Sequence, residues 1–301
     1  MIDAPAIRTQ GLTKRYGAIE ALAGLTMTIP RGAVFGFLGP NGAGKTTAVK
    51  LLLGLARPTS GDAEILGAPI GDRASRRRVG YLPELFRYQS WLSAREVLAL
   101  HCELAGLDRA AWPREIEDAL AVVALSERGS TRVGGFSKGM QQRLGLAVAL
   151  LGDPELVLLD EPTSALDPVG RREVREVIRA LRERGVTVFL NSHLLSEVEQ
   201  VCDRVAIVDR GRVIADGTLE ELLRGGTVRV RVSDLPRDAR AALGAFGEVT
   251  DEGEWLVVRG IDPSRVPELV AELVRAGARV HAVEPAHESL EDRFIRLLGG
   301  A

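Results

Sequence analysis

Residues Gly39-Pro40-Asn41-Gly42-Ala43-Gly44-Lys45-Thr46 fit the pattern G-x-x-x-x-G-K-[ST] without a mismatch. The apolar run Ala33-Val34-Phe35-Gly36-Phe37-Leu38 before them reads as a buried strand, and Thr47 to Leu53 after them as a helix. Strand, glycine loop and helix is the setting this pattern needs. Glycines let backbone N–H groups turn toward a phosphate chain with no Cβ in the way. The helix N-terminus adds positive potential. In such a loop, taken here as Gly39 to Thr47, Lys45 reaches the β- and γ-phosphates and the Thr46 hydroxyl can ligate Mg²⁺.

A phosphate loop says only nucleotide, so the remaining chemistry has to be found elsewhere. Leu156-Val157-Leu158-Leu159-Asp160-Glu161 is an apolar strand ending in two acids. Asp160, at the strand end, is placed to face the loop and hold Mg²⁺. Glu161, one step on, suits a general base for an attacking water. Between the loop and these acids, Ser137 and Gly139 stand before the helical run Leu144 to Leu151. A Ser and a Gly at a helix N-terminus form a second anion-binding start, and one nucleotide does not obviously need both from one subunit.

The chain of 301 residues suggests two domains. A net charge of -2 gives no global pull toward nucleic acid or an acidic membrane surface, and no nucleic-acid partner is expected. Cys102 and Cys202 are far apart with no C-x-x-C partner, which suits reduced thiols and a cytosolic setting. No signal peptide is apparent, and no apolar run approaches the roughly 18 residues that span a bilayer. A membrane role would therefore be peripheral, through a partner.

Ile7 to Ile29 reads as an antiparallel β-subdomain with turns at Gly11 and Gly17. Short strands follow at Ala63 to Gly67 and Arg78 to Leu82, then helices over Ser93 to Leu107 and Pro113 to Val123. The runs at Leu156 and at Val186 to Leu190, separated by the helix Arg171 to Arg184, are strands covered on both faces. The result is an α/β core with a largely parallel sheet, an antiparallel β-subdomain and a helical subdomain over about residues 85–150. Composition shifts at Gly225-Gly226, dividing residues 1–224 from 225–301. Beyond it the order is β-α-β-β-α-β, with a helix at Pro236 to Ala245, which is ferredoxin-like α+β. A last helix, Leu290 to Leu298, opens at a capping-box-like Ser289-Leu290-Glu291-Asp292.

Phe136-Ser137-Lys138-Gly139-Met140-Gln141 resembles the signature motif of ATP-binding cassette (ABC) ATPases, and over about three quarters of its length the chain is similar to that family. Tyr16 resembles the aromatic that stacks on adenine, Ser164-Ala165-Leu166-Asp167 the D-loop, and His193 the switch histidine that contacts the γ-phosphate. The resemblance implies a head-to-tail dimer with two ATP molecules between the subunits. Each ATP would touch Lys45, Thr46 and Asp160 of one copy and Ser137 and Gly139 of the other, with Glu161 as base.

Two departures bear on this. Lys138 and Met140 replace the usual Gly and Gln of the signature, and Glu84 stands where the family has the Q-loop Gln; its carboxylate could contact Mg²⁺. Both departures, and the C-terminal extension, resemble the branch that powers ABC-2-type exporters. That implies a separate transmembrane permease and a place on the inner face of the cell membrane. The segment Leu85 to Leu92, with Phe86, Tyr88 and Trp91, reads either as local core or as a groove for a short permease helix. A soluble ABC ATPase acting on ribosomes or nucleic acid is the alternative. Against it stand the single phosphate loop and the lack of a sustained heptad run. A GTP switch would want an Asn-Lys-x-Asp motif, and the sequence has none.

Overall fold

A computed structural model describes residues 4–164, 166–223, 226–236, 240, 243–286 and 289–299. The chain divides into two compact units, Met1–Thr218 and Leu219–Ala301.

The first unit opens with β1 (Ile7–Tyr16) and β2 (Ile19–Ile29), then β3 (Val34–Leu38) and α1 (Lys45–Leu52). β4 (Ser60–Ile65), β5 (Ala68–Pro69), α2 (Arg73–Arg76) and β6 (Val79–Leu82) follow. Three helices come next, α3 (Ala94–Ala105), α4 (Trp112–Val122) and α5 (Lys138–Ala149). The unit ends with β7 (Leu156–Asp160), α6 (Pro168–Glu183), β8 (Thr187–Asn191), α7 (Leu195–Val201), β9 (Arg204–Asp209) and β10 (Arg212–Thr218).

β1 and β2 form an antiparallel hairpin that turns at Gly17, with Tyr16 opposite Ile19, and β4 lies on the other side of β1. Gly11 is not a turn. It sits inside β1 at φ 57°, where the pairing slips between Thr9 and Leu12. An inserted residue of this kind bends a strand without ending it, and glycine takes the left-handed conformation at least cost.

The second sheet runs β10-β9-β3-β8-β7-β6. Its pairs are parallel except the edge pair β9–β10. Every residue of β3, β7 and β8 is buried, which is why these strands read as unbroken apolar runs. Phe189 packs against Phe35 and Phe37 with ring centroids 6.1 and 5.2 Å away. Because β3, β8 and β7 are parallel neighbours, their C-terminal ends emerge side by side, the usual place for ligands in such sheets.

α3 starts where the sequence indicated. Ser93 and Glu96 make a full capping box. α5 begins at Lys138, six residues before the expected Leu144, because the Ser137 hydroxyl accepts a hydrogen bond from the Met140 N–H and so nucleates the first turn. α5 crosses β6 at close range. A Cβ at Gly80 would lie 1.9 Å from the Ala149 carbonyl oxygen, and one at Gly145 would lie 2.7 Å from the Leu82 side chain. Both cysteines are buried free thiols.

The second unit contains β11 (Gly226–Ser233), β12 (Glu248–Glu252), β13 (Trp255–Ile261) and β14 (Arg279–Ala286), in the order β12-β13-β11-β14 with every pair antiparallel. This is the ferredoxin-like strand order. Half of the helix expected over 236–245 falls outside the described residues; Arg240 and Leu243 are helical, and Gly244 and Ala245 already form a turn. Helix Val266–Arg275 buries Leu269 and Leu273 in a core with Val228, Val230, Leu256 and Val258. The last helix, Leu290–Gly299, is capped by Ser289 and Asp292. Each side chain accepts from the other's backbone N–H, with Asp in place of the usual Glu.

Candidate functional site

The phosphate loop spans the gap between β3 and α1. Gly44, at φ 97°, caps α1 without a side-chain hydrogen bond, and a Cβ there would lie 2.3 Å from the Ala21 carbonyl oxygen. Only glycine combines that left-handed turn with so close an approach of β2. The loop is tied down by Gly211, whose N–H donates to the Ala43 carbonyl at 3.0 Å and whose carbonyl accepts from the Ala23 N–H at 2.9 Å.

A hollow of about 430 Å³ opens beside the loop, lined by Asn41, Gly42, Gly44, Lys45, Thr46 and Thr47. Glu84, Asp160, Glu161 and His193 line it too. Gly39, Pro40 and Ala43 do not line it; they are internal to the loop. Lys45 Nζ donates to the carbonyls of Gly39 (2.6 Å) and Pro40 (3.2 Å). Burial holds the Lys45 ammonium below its usual pKa, against the opposing pull of Glu161, Asp160 and Glu84.

Asp160 ends β7 and Glu161 follows it, both buried. Burial raises both carboxyl pKa values. For Asp160, the hydrogen bond from Asn191 works the other way and the Glu84 charge adds to the rise. For Glu161, contact with His193 and the Lys45 charge oppose the rise. Glu161 sits at φ 53°, an uncommon conformation for a residue with a side chain, and its N–H donates to the Asn191 carbonyl at 2.9 Å. His193 Nδ1 is 2.8 Å from Glu161 Oε2. Tyr81 beside them is pushed up to about 12 by burial, with Asp160 and Glu84 adding to the effect.

The carboxylates of Asp160 and Glu84 with the Thr46 hydroxyl beside a phosphate loop are a hard-cation donor set. Among the described residues, no group of three or more His, Cys, Asp or Glu is arranged to hold a metal by itself. A cation here would take part of its shell from a nucleotide. Three carboxylates facing one ammonium also make this a poor home for a bare polyphosphate. The residues therefore fit Mg²⁺ arriving with nucleotide.

Ser137, Gly139 and Asp167 lie elsewhere, in a second hollow between α5 and α6. Asp167 caps α6, its Oδ1 accepting from the Gly170 N–H at 2.7 Å. Ala165 lies outside the described residues. Tyr16 does not line the first hollow. It is 47% exposed at the end of β1, and Lys14 Nζ stands 4.8 Å from its ring centre. Ile19, Glu20 and Ala21, from the start of β2, line the hollow instead. Sequence reading missed these three and Asn191; no local pattern marks them, and Asn191 stands beside Asp160 only through the β7–β8 pairing.

The segment Leu85 to Leu92 is split in its behaviour. Phe86 packs on Tyr88 (5.3 Å), and Tyr88 meets His101 edge-on (5.7 Å). Leu85 and Trp91 are exposed at 87% and 67%.

Comparison with known proteins gives the family. Residues 22–164 match the ABC transporter family. An uncharacterized ABC transporter ATP-binding protein of Synechocystis is 41% identical, covering 99% of this chain and 86% of that protein. A Nod factor export ATP-binding protein of Burkholderia orbicola is 37% identical, covering 96% of each. The solved ATP-binding subunit of an ABC transporter superposes with a TM-score of 0.65 at 32% identity, over 73% of this chain and 92% of that one. The alternative of a ribosome- or nucleic-acid-acting ATPase finds no support in these relatives. The chain belongs to the ATP-binding, ATP-hydrolysing subunits of ABC transporters.

Proposed function

We propose that this chain powers export through a separate transmembrane permease, by ATP-driven head-to-tail pairing of two copies. The observation that carries this reading is the separation of the two phosphate-binding helix starts. Lys45, Thr46, Asp160, Glu161 and His193 share one hollow, while Ser137, Gly139 and Asp167 share another. Each hollow is half a nucleotide site that a second copy completes. Export as the direction is supported by the relative named for it.

In this proposal the loop from Gly39 to Thr47 cradles the phosphates, Thr46, Asp160 and Glu84 hold Mg²⁺, and Tyr16 stacks on adenine. A bound Mg²⁺ supplies charge neutralisation on the phosphate oxygens. Glu161 takes the proton of the attacking water, aligned by the Asn191 carbonyl at its N–H and by His193 at its carboxylate. His193 also reaches the γ-phosphate.

None of the described helices is long and apolar enough to cross a membrane. Attachment would come through the permease, with exposed Leu85 and Trp91 as anchors, at the inner face of the cell membrane. Residues 225–301 form an accessory domain that stabilises the dimer or regulates its opening. Deleting them should change dimerisation or ATPase rate; no change would mark them as inert.

The test is an affinity pull-down from detergent-solubilised membranes of the native host, using tagged Glu161→Gln with Mg-ATP. A polytopic protein recovered at near one-to-one ratio supports the reading. Recovery of ribosomes, nucleic acid or no membrane protein overturns it.

A further inference from the structure

Asn191 ends β8 directly opposite Asp160 at the end of β7, and the two are register partners in the parallel pair. Its side chain is almost wholly buried, with the residue 2% exposed. Nδ2 donates to Asp160 Oδ1 at 2.5 Å. That contact fixes the amide orientation, since the flipped form would set two oxygens against each other. Asn191 Oδ1 is then left buried with no hydrogen-bond partner, in a side chain that lines the nucleotide hollow. A buried acceptor without a donor costs about 1–3 kcal/mol, and an apolar residue after Val188, Phe189 and Leu190 would avoid that cost. The backbone of Asn191 also accepts from the Glu161 N–H. One residue therefore touches both acids.

We propose that Asn191 is a positioning residue for the divalent cation that accompanies the nucleotide. Its amide N–H commits one oxygen of Asp160 and leaves Oδ2 free for the cation or its hydration water. Its own Oδ1 accepts a hydrogen bond from a water brought in with the hydrated cation. Outer partners that orient a liganding carboxylate typically alter metal affinity about 10–100-fold when removed.

The inference rests on the phosphate-loop and Asp160 roles proposed above, and the experiment separates the two. Mn²⁺ affinity would be titrated by electron paramagnetic resonance in the presence of a non-hydrolysable ATP analogue, and analogue affinity measured separately in EDTA. Asn191→Leu, which keeps the approximate shape, is expected to weaken Mn²⁺ about tenfold or more, and by more than it weakens metal-free analogue binding. Asn191→Thr, which suits a strand and keeps a hydroxyl, should fall between wild type and Asn191→Leu.

Wild-type Mn²⁺ affinity in a folded Asn191→Leu overturns the proposal. If that variant does not fold, wild-type affinity in Asn191→Thr overturns it. Asp160→Asn is the control. Loss of Mn²⁺ affinity there with none in the Asn191 variants sinks only the Asn191 role. Unchanged affinity in Asp160→Asn sinks the site reading itself.

Discussion

His193 Nδ1 lies 2.8 Å from Oε2 of Glu161, a buried acid held at φ 53°. The contact joins the loop after β8 to the residue that follows β7, and it partly offsets the rise that burial imposes on the carboxyl pKa of the group proposed as base. A carboxylate that must accept a proton from water loses that role as an amide. Glu161→Gln is therefore expected to bind ATP, to hydrolyse it about 10²–10⁴-fold more slowly, and to accumulate as an ATP-bound dimer. Single-turnover hydrolysis with size-exclusion chromatography checks this; wild-type turnover removes Glu161 as base.

The same contact predicts a pH effect. Burial raises the Glu161 pKa above the ordinary carboxylate value, and His193 partly offsets the rise. The base is competent only when ionised, so the rate falls as pH drops through this raised pKa. In His193→Ala the offset is gone, and the acid limb of the residual ATPase profile should move to higher pH. The variant's deficit relative to wild type should be larger at about pH 6 than at about pH 8.5. An equal deficit at both would show that the contact does not tune Glu161.

Among the described residues that line the hollow with Glu84, Asp160 and Glu161, Lys45 supplies the one ammonium. Hydrogen bonds to a charged group contribute about 1.5–3 kcal/mol. Lys45→Ala should weaken ATP binding about ten- to hundredfold by calorimetry. Unchanged affinity would contradict the phosphate-loop assignment.

Gly80 lets β6 touch the end of α5, with a hypothetical Cβ 1.9 Å from the Ala149 carbonyl oxygen. Backbone atoms cannot rotate away. Gly80→Ala should cost about 1–3 kcal/mol and lower Tm by several degrees in thermal unfolding. A variant as stable as wild type would mean that α5 shifts freely along the sheet.

Much of this was legible in the sequence because it is local. The phosphate loop is a contiguous pattern, and β3, β7 and β8 announce themselves as unbroken apolar runs because both faces are buried. Gly11 was misread because a bulge and a turn use the same residue in the same left-handed conformation; only the register of β1 against its neighbours separates them. α5 opens six residues before the apolar run Leu144 to Leu151, because its first turn is polar and is fixed by the Ser137 cap rather than by apolar spacing. β9 and β10 were not anticipated. Asn191 reaches the site through strand pairing with Asp160, and pairing between distant segments leaves no trace in either segment alone.

The split of the site into two hollows has a genetic consequence. Under the head-to-tail pairing proposed above, one composite site draws Lys45 from the first chain and Ser137 from the second, and the other site draws them in reverse. A chain altered at Lys45 and a chain altered at Ser137 are each inert as homodimers. Mixed together, they place both lesions in the same composite site and leave its twin whole. Two recessive alleles of this one gene would then complement each other, as alleles of different genes ordinarily do.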